Sequence, residues 1–271
     1  MGESVPAHGQ RKGPEEQRMQ GHWLLAKMGK KVLRPGGWEL TETLVKQLSI
    51  GAKDDLVEFG PGVGKTAELM LRAHPTSYIG VDPNDQVEAS LLQVLERYPQ
   101  ARKVAANAMQ TGLDDGCASV VIGEAMLTMQ SRKEKLAIAR EAFRLLRSGG
   151  RYAIHELAFI PDDCPESVQD EVGKALSLAI KVGARPMTVS DWKTLLEEAG
   201  FRVEMTTTRP MALLEPRRLI NDEGFFGFLR FVFNVARNPA ARKRILNMRA
   251  TFSKHRENLA AIGAIAVKPE A

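Results

Sequence analysis

Leu56-Val57-Glu58-Phe59-Gly60-Pro61-Gly62-Val63-Gly64-Lys65-Thr66 is the stretch on which the reading of this chain turns. Asp54–Phe59 has the apolar character of a strand and Gly64–Ala73 the pattern of a helix, so three glycines fall at a strand-to-helix turn. Glycine there lets the backbone approach a ligand closely, and the first turn of the helix offers N–H groups without intrahelical partners. Several ligand classes use such a loop, and glycine spacing distinguishes them. A P-loop needs another glycine five places before Gly64, where Phe59 stands, so Gly64-Lys65-Thr66 copies only its last three positions. A dinucleotide loop, G-x-G-x-x-G, accepts Gly60 and Gly62 but meets Lys65 at its third position. A short-chain dehydrogenase also needs Tyr-x-x-x-Lys, and four residues after Tyr78, Tyr98 and Tyr152 stand Asp82, Arg102 and Glu156.

Outward from the loop, short apolar runs alternate with longer helical patterns. Ser77–Val81, Arg102–Ala106, Ala118–Gly123 and Arg151–Leu157 read as strands, and Asp85–Tyr98 and Ser131–Arg147 as helices. Strands spaced by helices predict right-handed βαβ units around a parallel sheet. Val120-Val121-Ile122 suits a strand covered on both faces. On the N-terminal side, His22–Leu33 and Trp38–Ile50 are amphipathic helices, separated by Pro35-Gly36-Gly37. Past Ile160 come helices over Glu166–Val182 and Val189–Ala199, a strand over Phe201–Thr207, helices over Leu219–Arg237 and Pro239–Arg256, and a last strand, Leu259–Val267.

Glu58-x-Gly60-x-Gly62-x-Gly64 resembles the first motif of class I S-adenosylmethionine (SAM) dependent methyltransferases, and the resemblance extends over most of the chain. Asp82 stands where that family carries an acid on the ribose hydroxyls, with Pro83 behind it. Asn107-Ala108-Met109 follows the third strand, at the adenine position, with Asn in place of the usual Asp. Gly123-Glu124-Ala125-Met126-Leu127 follows the fourth strand. Leu146-Arg147-Ser148-Gly149-Gly150 is similar to the turn before strand five, with Ser for the usual Pro. The resemblance implies an α/β, Rossmann-like, seven-stranded and mostly parallel sheet with helices on both faces. It also implies a helical cap inserted near the C-terminus. The implied cofactor is SAM, released as S-adenosylhomocysteine, held by Glu58, Gly60, Pro61, Gly62, Gly64, Asp82, Pro83, Asn107, Ala108, Met109 and Glu124.

Methyl transfer from a sulfonium needs alignment and exclusion of water, and a base only when the acceptor must lose a proton. His155 and Glu124, at strand ends, are the candidate catalytic residues. Strand alternation puts His155 and Glu156 on opposite faces, so one at most lines a pocket. His155 equally suits a hydrogen-bonded structural histidine, and Glu124 a solvated loop carboxylate. His22, Trp23, Arg34, Met126, Phe225 and Phe228 are the candidate acceptor-binding residues. The favoured acceptor is a small thiol or sulfide, which ionises easily and needs little more than an electropositive site. The alternatives are an oxygen, nitrogen or carbon on a larger apolar metabolite or lipid, and a non-catalytic SAM-binding regulator.

The chain has 271 residues, 44% of them hydrophobic and 26% charged, enough for a substantial core. Its two cysteines build no disulfide framework, and no metal site is expected. No apolar h-region occurs in residues 1–22 and no run of about 18 apolar residues anywhere, which leads to a cytoplasmic expectation. The domain expectation is a disordered arm over 1–20 and a methyltransferase domain over 21–271. Within that domain lie N-terminal helices over 21–50 and the cap over 216–256. Deleting residues 1–20 is accordingly expected to leave the melting temperature nearly unchanged. The cap carries ten Lys or Arg against Asp222 and Glu223, a local +8 in a chain of net +5, and six of the ten phenylalanines. That composition suits nucleic acid, an anionic substrate, peripheral membrane contact, a solvated helix face or plain core packing of the cap. The expected partners are a small-molecule acceptor, a membrane surface through the cap and a second copy as a homodimer, with no nucleic acid.

Overall fold

The computed structural model describes residues 15–84 and 89–270. Residues 1–14 of the expected arm and the start of the expected helix at 85–88 lie outside them. Eight strands among the described residues form one sheet: β1 (Asp55–Phe59), β2 (Ser77–Asp82), β3 (Ala101–Ala105), β4 (Ala118–Glu124), β5 (Leu146–Phe159), β6 (Met187–Thr188), β7 (Arg202–Pro210) and β8 (Leu259–Val267). The order is β3-β2-β1-β4-β5-β8-β7, with two-residue β6 beside β5. All pairings are parallel except those of β8, which runs antiparallel to β5 and β7. Seven of the eight are the strands expected from the apolar runs. The sheet order reverses beside β1, so the carboxyl ends of β1, β2 and β4 open onto one crevice.

Among the described residues there are also ten α-helices and a 3-10 turn at Leu127–Met129: α1 (Glu15–Arg18), α2 (Gly21–Lys27), α3 (Gly37–Leu48), α4 (Lys65–Leu71), α5 (Ala89–Leu95), α6 (Arg132–Leu145), α7 (Glu166–Ile180), α8 (Val189–Glu198), α9 (Pro216–Arg237) and α10 (Pro239–Lys254). One face of the sheet buries Leu40, Leu44, Met70 and Leu91 from α3, α4 and α5. The other buries Ile138, Ala142 and Trp192 from α6 and α8. α6 opens on a capping box in which Ser131 and Glu134 satisfy each other's backbone N–H groups. A third cluster joins α2, α7, α9 and α10 into a cap over the carboxyl edge of the sheet.

Three expectations are corrected. Residues 15–18 of the expected disordered arm form a helical turn, because Arg244 Nη1 donates to the carbonyls of Glu16 (2.6 Å) and Met19 (2.5 Å) and Lys27 pairs with Glu15 and Glu16. The helix expected over His22–Leu33 stops at Lys27, since Gly29 at φ 102° turns the chain out of helical geometry. The helix expected from Leu219 begins at Pro216 and is kinked at Gly224 (φ 74°, ψ 167°).

Candidate functional site

The carboxyl ends of β1, β2, β4 and β5 floor a cavity of about 270 Å³, roofed by α2, α7, α10 and residues 211–213. Gly60, Gly62 and Val63 enter it from the glycine loop, Asp82 from the end of β2, and Glu124, Ala125 and Met126 from the end of β4. Gly60 and Gly62 take positive φ (66° and 52°), and a Cβ on either would meet nothing closer than 3.8 Å. The loop backbone therefore faces open space. Gly64 differs: at φ 81° a Cβ would lie 3.0 Å from the Leu91 backbone, so glycine here lets α4 start against α5. Away from the loop the cavity is aliphatic and thioether in character, with Leu157, Leu176, Ile180, Met211, Met248 and Phe252 among its walls. Its acidic lining residues are Asp82, Glu124 and Glu156, and no Lys or Arg is among the lining. A cleft with exposed loop backbone, a carboxylate at the strand-two end and no cation fits a sulfonium cofactor carrying a ribose diol.

Beneath the loop lies a buried polar network. Glu124 is gripped by Arg34 and accepts from Thr66 Oγ1 (2.5 Å) and Thr41 Oγ1 (2.6 Å), while His155 Nδ1 lies 2.9 Å from its Oε1. Burial opposes ionisation of Glu124, but the Arg34 guanidinium and the His155 and Thr41 contacts more than offset it and hold the carboxyl at about 2. Glu58 sits at the base of the loop and accepts from the Tyr78 hydroxyl at 2.6 Å. Burial drives its carboxyl up to about 7 against that hydrogen bond. Glu156, on the opposite face of β5 from His155, accepts from the backbone N–H groups of Met126 (2.9 Å), Leu127 (2.7 Å) and Thr128 (3.0 Å) and from Thr128 Oγ1 (2.6 Å). It thereby fixes the turn after β4.

The structure redistributes the expected site residues. Gly60, Gly62, Asp82, Glu124, Met126, His22 and Trp23 come together around the cavity. Pro61 and Glu58 lie on a smaller hollow under the loop, and Gly64 lies behind it. Pro83, Asn107, Ala108 and Met109 do not line the cavity. Asn107 Oδ1 accepts from the Met109 N–H at 2.9 Å, which closes a turn after β3. His155, expected as a base, is fully buried and off the cavity; its Nε2 donates to the Pro35 carbonyl at 2.5 Å. Glu124, expected in the same role, has both carboxylate oxygens engaged, and a carboxyl held so low is a weak proton acceptor. Arg34, expected to meet the acceptor, is turned under the loop by Glu124 and Thr66. Phe225 is exposed and Phe228 packs on the rim of the cap core, so neither reaches the cavity. Lys65 of the P-loop-like triplet points away, donating to the Asp222 carbonyl at 2.7 Å.

Sequence reasoning passed over Thr128, Leu176, Met211 and Met248. Glu156 carried a signal as the opposite-face partner of His155, and Phe252 as a member of the cap's phenylalanine cluster. The others are apolar or small residues whose neighbours in the cavity stand far away in the chain.

A family model described as "Methyltransferase domain" matches residues 57–154, from β1 into β5. An uncharacterised protein of Haemophilus influenzae is 30% identical over 236 residues, 86% of this chain and 92% of that one. The 27-O-demethylrifamycin SV methyltransferase of Amycolatopsis mediterranei is 27% identical over 173 residues, 61% of this chain and 60% of that one. Among solved structures, phosphoethanolamine N-methyltransferase 2 of Haemonchus contortus, in complex with SAM, superposes with a TM-score of 0.69 at 14% identity. That match covers 92% of this chain and 57% of the other. Sheet order, glycine loop and matched domain agree: the chain belongs to the class I SAM-dependent methyltransferases, enzymes that take their methyl group from S-adenosylmethionine.

Proposed function

We propose that the enzyme methylates a neutral, largely apolar small molecule. The observation that carries this reading is the cavity wall: aliphatic, thioether and aromatic side chains with three carboxylates and no Lys or Arg. A thiolate or hydrosulfide would find no Lys or Arg on that wall, since the nearby Arg34 guanidinium is held by Glu124. The small-thiol expectation therefore yields to the larger apolar acceptor. A relative that by its name methylates 27-O-demethylrifamycin SV, not a small thiol, agrees with this direction.

In this reading Gly60 and Gly62 cradle the cofactor, Pro61 and Gly64 shape the loop that presents them, and Asp82 accepts from the ribose hydroxyls. When bound, SAM supplies an electrophilic sulfonium methyl. Glu124, tied to Arg34, Thr41, Thr66 and His155, is a positioning residue that fixes the turn beside the loop. His155 positions Glu124 and the Pro35 carbonyl together. His22 and Trp23 cover the cavity, with ring centroids 5.1 Å apart. His22 accepts the proton of a hydroxyl acceptor, since burial lowers its pKa and leaves it neutral near neutral pH.

The test supplies methyl-labelled SAM with hydrosulfide, small thiols, phenols, apolar alcohols and hydrophobic amines. S-adenosylhomocysteine is followed in solution, and label in headspace and organic extract. Label is expected in a non-volatile product of the organic extract; label in a volatile sulfide would overturn the apolar-acceptor reading. Separately, Asp82→Ala is expected to weaken SAM binding on the order of 2 kcal/mol, about thirtyfold, by calorimetry. Unchanged affinity would remove Asp82 from the cofactor site.

A further inference from the structure

The kink at Gly224 divides α9, and the part beyond it has two apolar faces. One, with Phe228, Phe231 and Val235, packs into the cap core. The other carries Phe225, Phe226, Leu229, Val232 and Phe233, spaced i, i+1, i+4, i+7 and i+8, and therefore one stripe of a helix. These five side chains are exposed, Phe226 at 84%, Phe225 at 59% and Phe233 at 57%. Phe225 and Phe226 meet edge to face with centroids 5.8 Å apart, so the stripe begins as a preformed aromatic wedge. Leu246 on neighbouring α10 is exposed as well, with Arg242 and Lys243 one turn before it and Arg249 one turn after. A single apolar side chain in water needs no explanation, but a five-residue stripe does.

Charge decides what covers it. From Gly224 to Arg256 the chain holds eight Lys or Arg and no Asp or Glu. The Arg237 guanidinium lies 5.2 Å from the centre of the Phe233 ring, which places a cation at the border of the stripe. A second copy of this face would bring two sets of cations together with no acid between them, which costs free energy. A nucleic-acid backbone would match the cations and leave Leu229 and Val232 in water. An amphipathic helix with aromatic and aliphatic residues on one side and only basic residues around it matches the interface of an anionic bilayer. Among the described residues no helix is long and apolar enough to cross a membrane, so the contact is peripheral.

We propose that the outer face of α9 beyond Gly224, with the basic flank of α10, is a docking surface for anionic lipid bilayers. It goes beyond the acceptor reading and holds whichever acceptor the cavity takes. The docked helices are also the cavity's own walls: α10 supplies Met248 and Phe252, and Asn234 on the inner side of α9 donates to the Met28 carbonyl at 3.0 Å, next to α2. Docking therefore brings the bilayer against the elements that roof the acceptor chamber.

The experiment is flotation of the full chain with vesicles of phosphatidylcholine alone and of equal parts phosphatidylcholine and phosphatidylglycerol, at low and high salt. The wild type is expected to float with the anionic vesicles only, and less at high salt. The Phe226→Ser/Phe233→Ser double variant is expected to lose partitioning roughly tenfold or more. Arg242→Glu/Lys243→Glu is expected to lose it too and to abolish the salt dependence that remains. The charge variant decides the question if the Phe variant does not fold. No flotation of the wild type, equal flotation with neutral vesicles, or unchanged flotation of both variants overturns the proposal. So does light scattering that shows a dimer which Phe226→Ser/Phe233→Ser dissociates, since the stripe would then be a self-interface.

Discussion

At the residue scale, His22 and the two buried glutamates under the loop respond to pH in opposite ways. His22 is the only histidine on the wall of the cavity described above. Burial lowers its pKa, so the proton-accepting form fills in below the ordinary histidine range. With a hydroxyl acceptor, kcat is expected to rise with pH along a limb below that range. His22→Ala should cut kcat about a hundredfold and leave SAM affinity intact. A limb at or above the ordinary histidine range would assign the base elsewhere. Glu58 bears on stability instead. Its carboxyl is raised from 4.5 to about 7 by burial. Below 4.5 it is protonated folded or unfolded and costs nothing. Between 4.5 and about 7 only the unfolded chain releases the proton, and the stability it contributes in acid is lost. The loss amounts to something on the order of 3 kcal/mol. Glu124 works the other way, with a folded pKa of about 2, so its contribution stands above 4.5 and is lost toward acid. Glu58→Gln mimics the protonated form. Its stability relative to wild type, from denaturant melts, should therefore be flat below 4.5, climb up to about 7 and then level off. A difference independent of pH would show that Glu58 ionises normally in the fold.

At the element scale, α3 and β8 set how close the sheet's outer layers come. A Cβ on Gly263 would meet Leu40 Cδ1 at 2.9 Å and Leu44 Cδ2 at 3.1 Å, so α3 packs directly onto the β8 backbone. Gly263→Ala is expected to lower stability by about 1–3 kcal/mol, seen as a lower melting temperature with SAM binding retained. An unchanged melting temperature would mean that Leu40 and Leu44 repack at no cost. Most of this architecture is legible in the sequence. Runs such as Val120-Val121-Ile122 are buried on both faces and stand out against the helices that cover them. Boundaries are less legible. β5 begins at Leu146, five residues before the apolar run, because Gly149 at φ 73° and a bulge against β4 keep the turn residues Arg147–Gly150 within the strand. Met187–Thr188 is too short for any periodicity to reveal it.

At the scale of the whole molecule, the glycine loop was readable because its residues are adjacent, and the rest of the cavity was not because its walls come from opposite ends of the chain. His22 and Trp23, Leu176 and Ile180, Met211 and Leu213, and Met248 and Phe252 meet only when the cap closes over the sheet. Phe225 and Phe228 illustrate the difficulty: their clustering signals an apolar surface, and only the kink at Gly224 determines that Phe225 faces outward. Arg34 illustrates it again, since its capture by Glu124 joins residues 90 apart. What holds the cap's edge is Arg244 on α10, whose Nη1 donates to the Glu16 and Met19 carbonyls at the end of α1, while its Nη2 is buried without a partner among the described residues. The cation also faces the carbonyl end of that turn, where the peptide dipoles favour it. Arg244→Met keeps much of the side-chain volume and removes both donors. It is expected to lower stability by about 1–3 kcal/mol and to speed amide hydrogen exchange in residues 15–28 while strands β1, β4 and β5 stay protected. The same reasoning revises the expectation for the N-terminal deletion: removing residues 1–20 takes away the carbonyls Arg244 holds, and the melting temperature should fall. Exchange that rises uniformly in the Arg244→Met protein would mean that this contact supports the global fold, not the helix that carries His22 over the cavity.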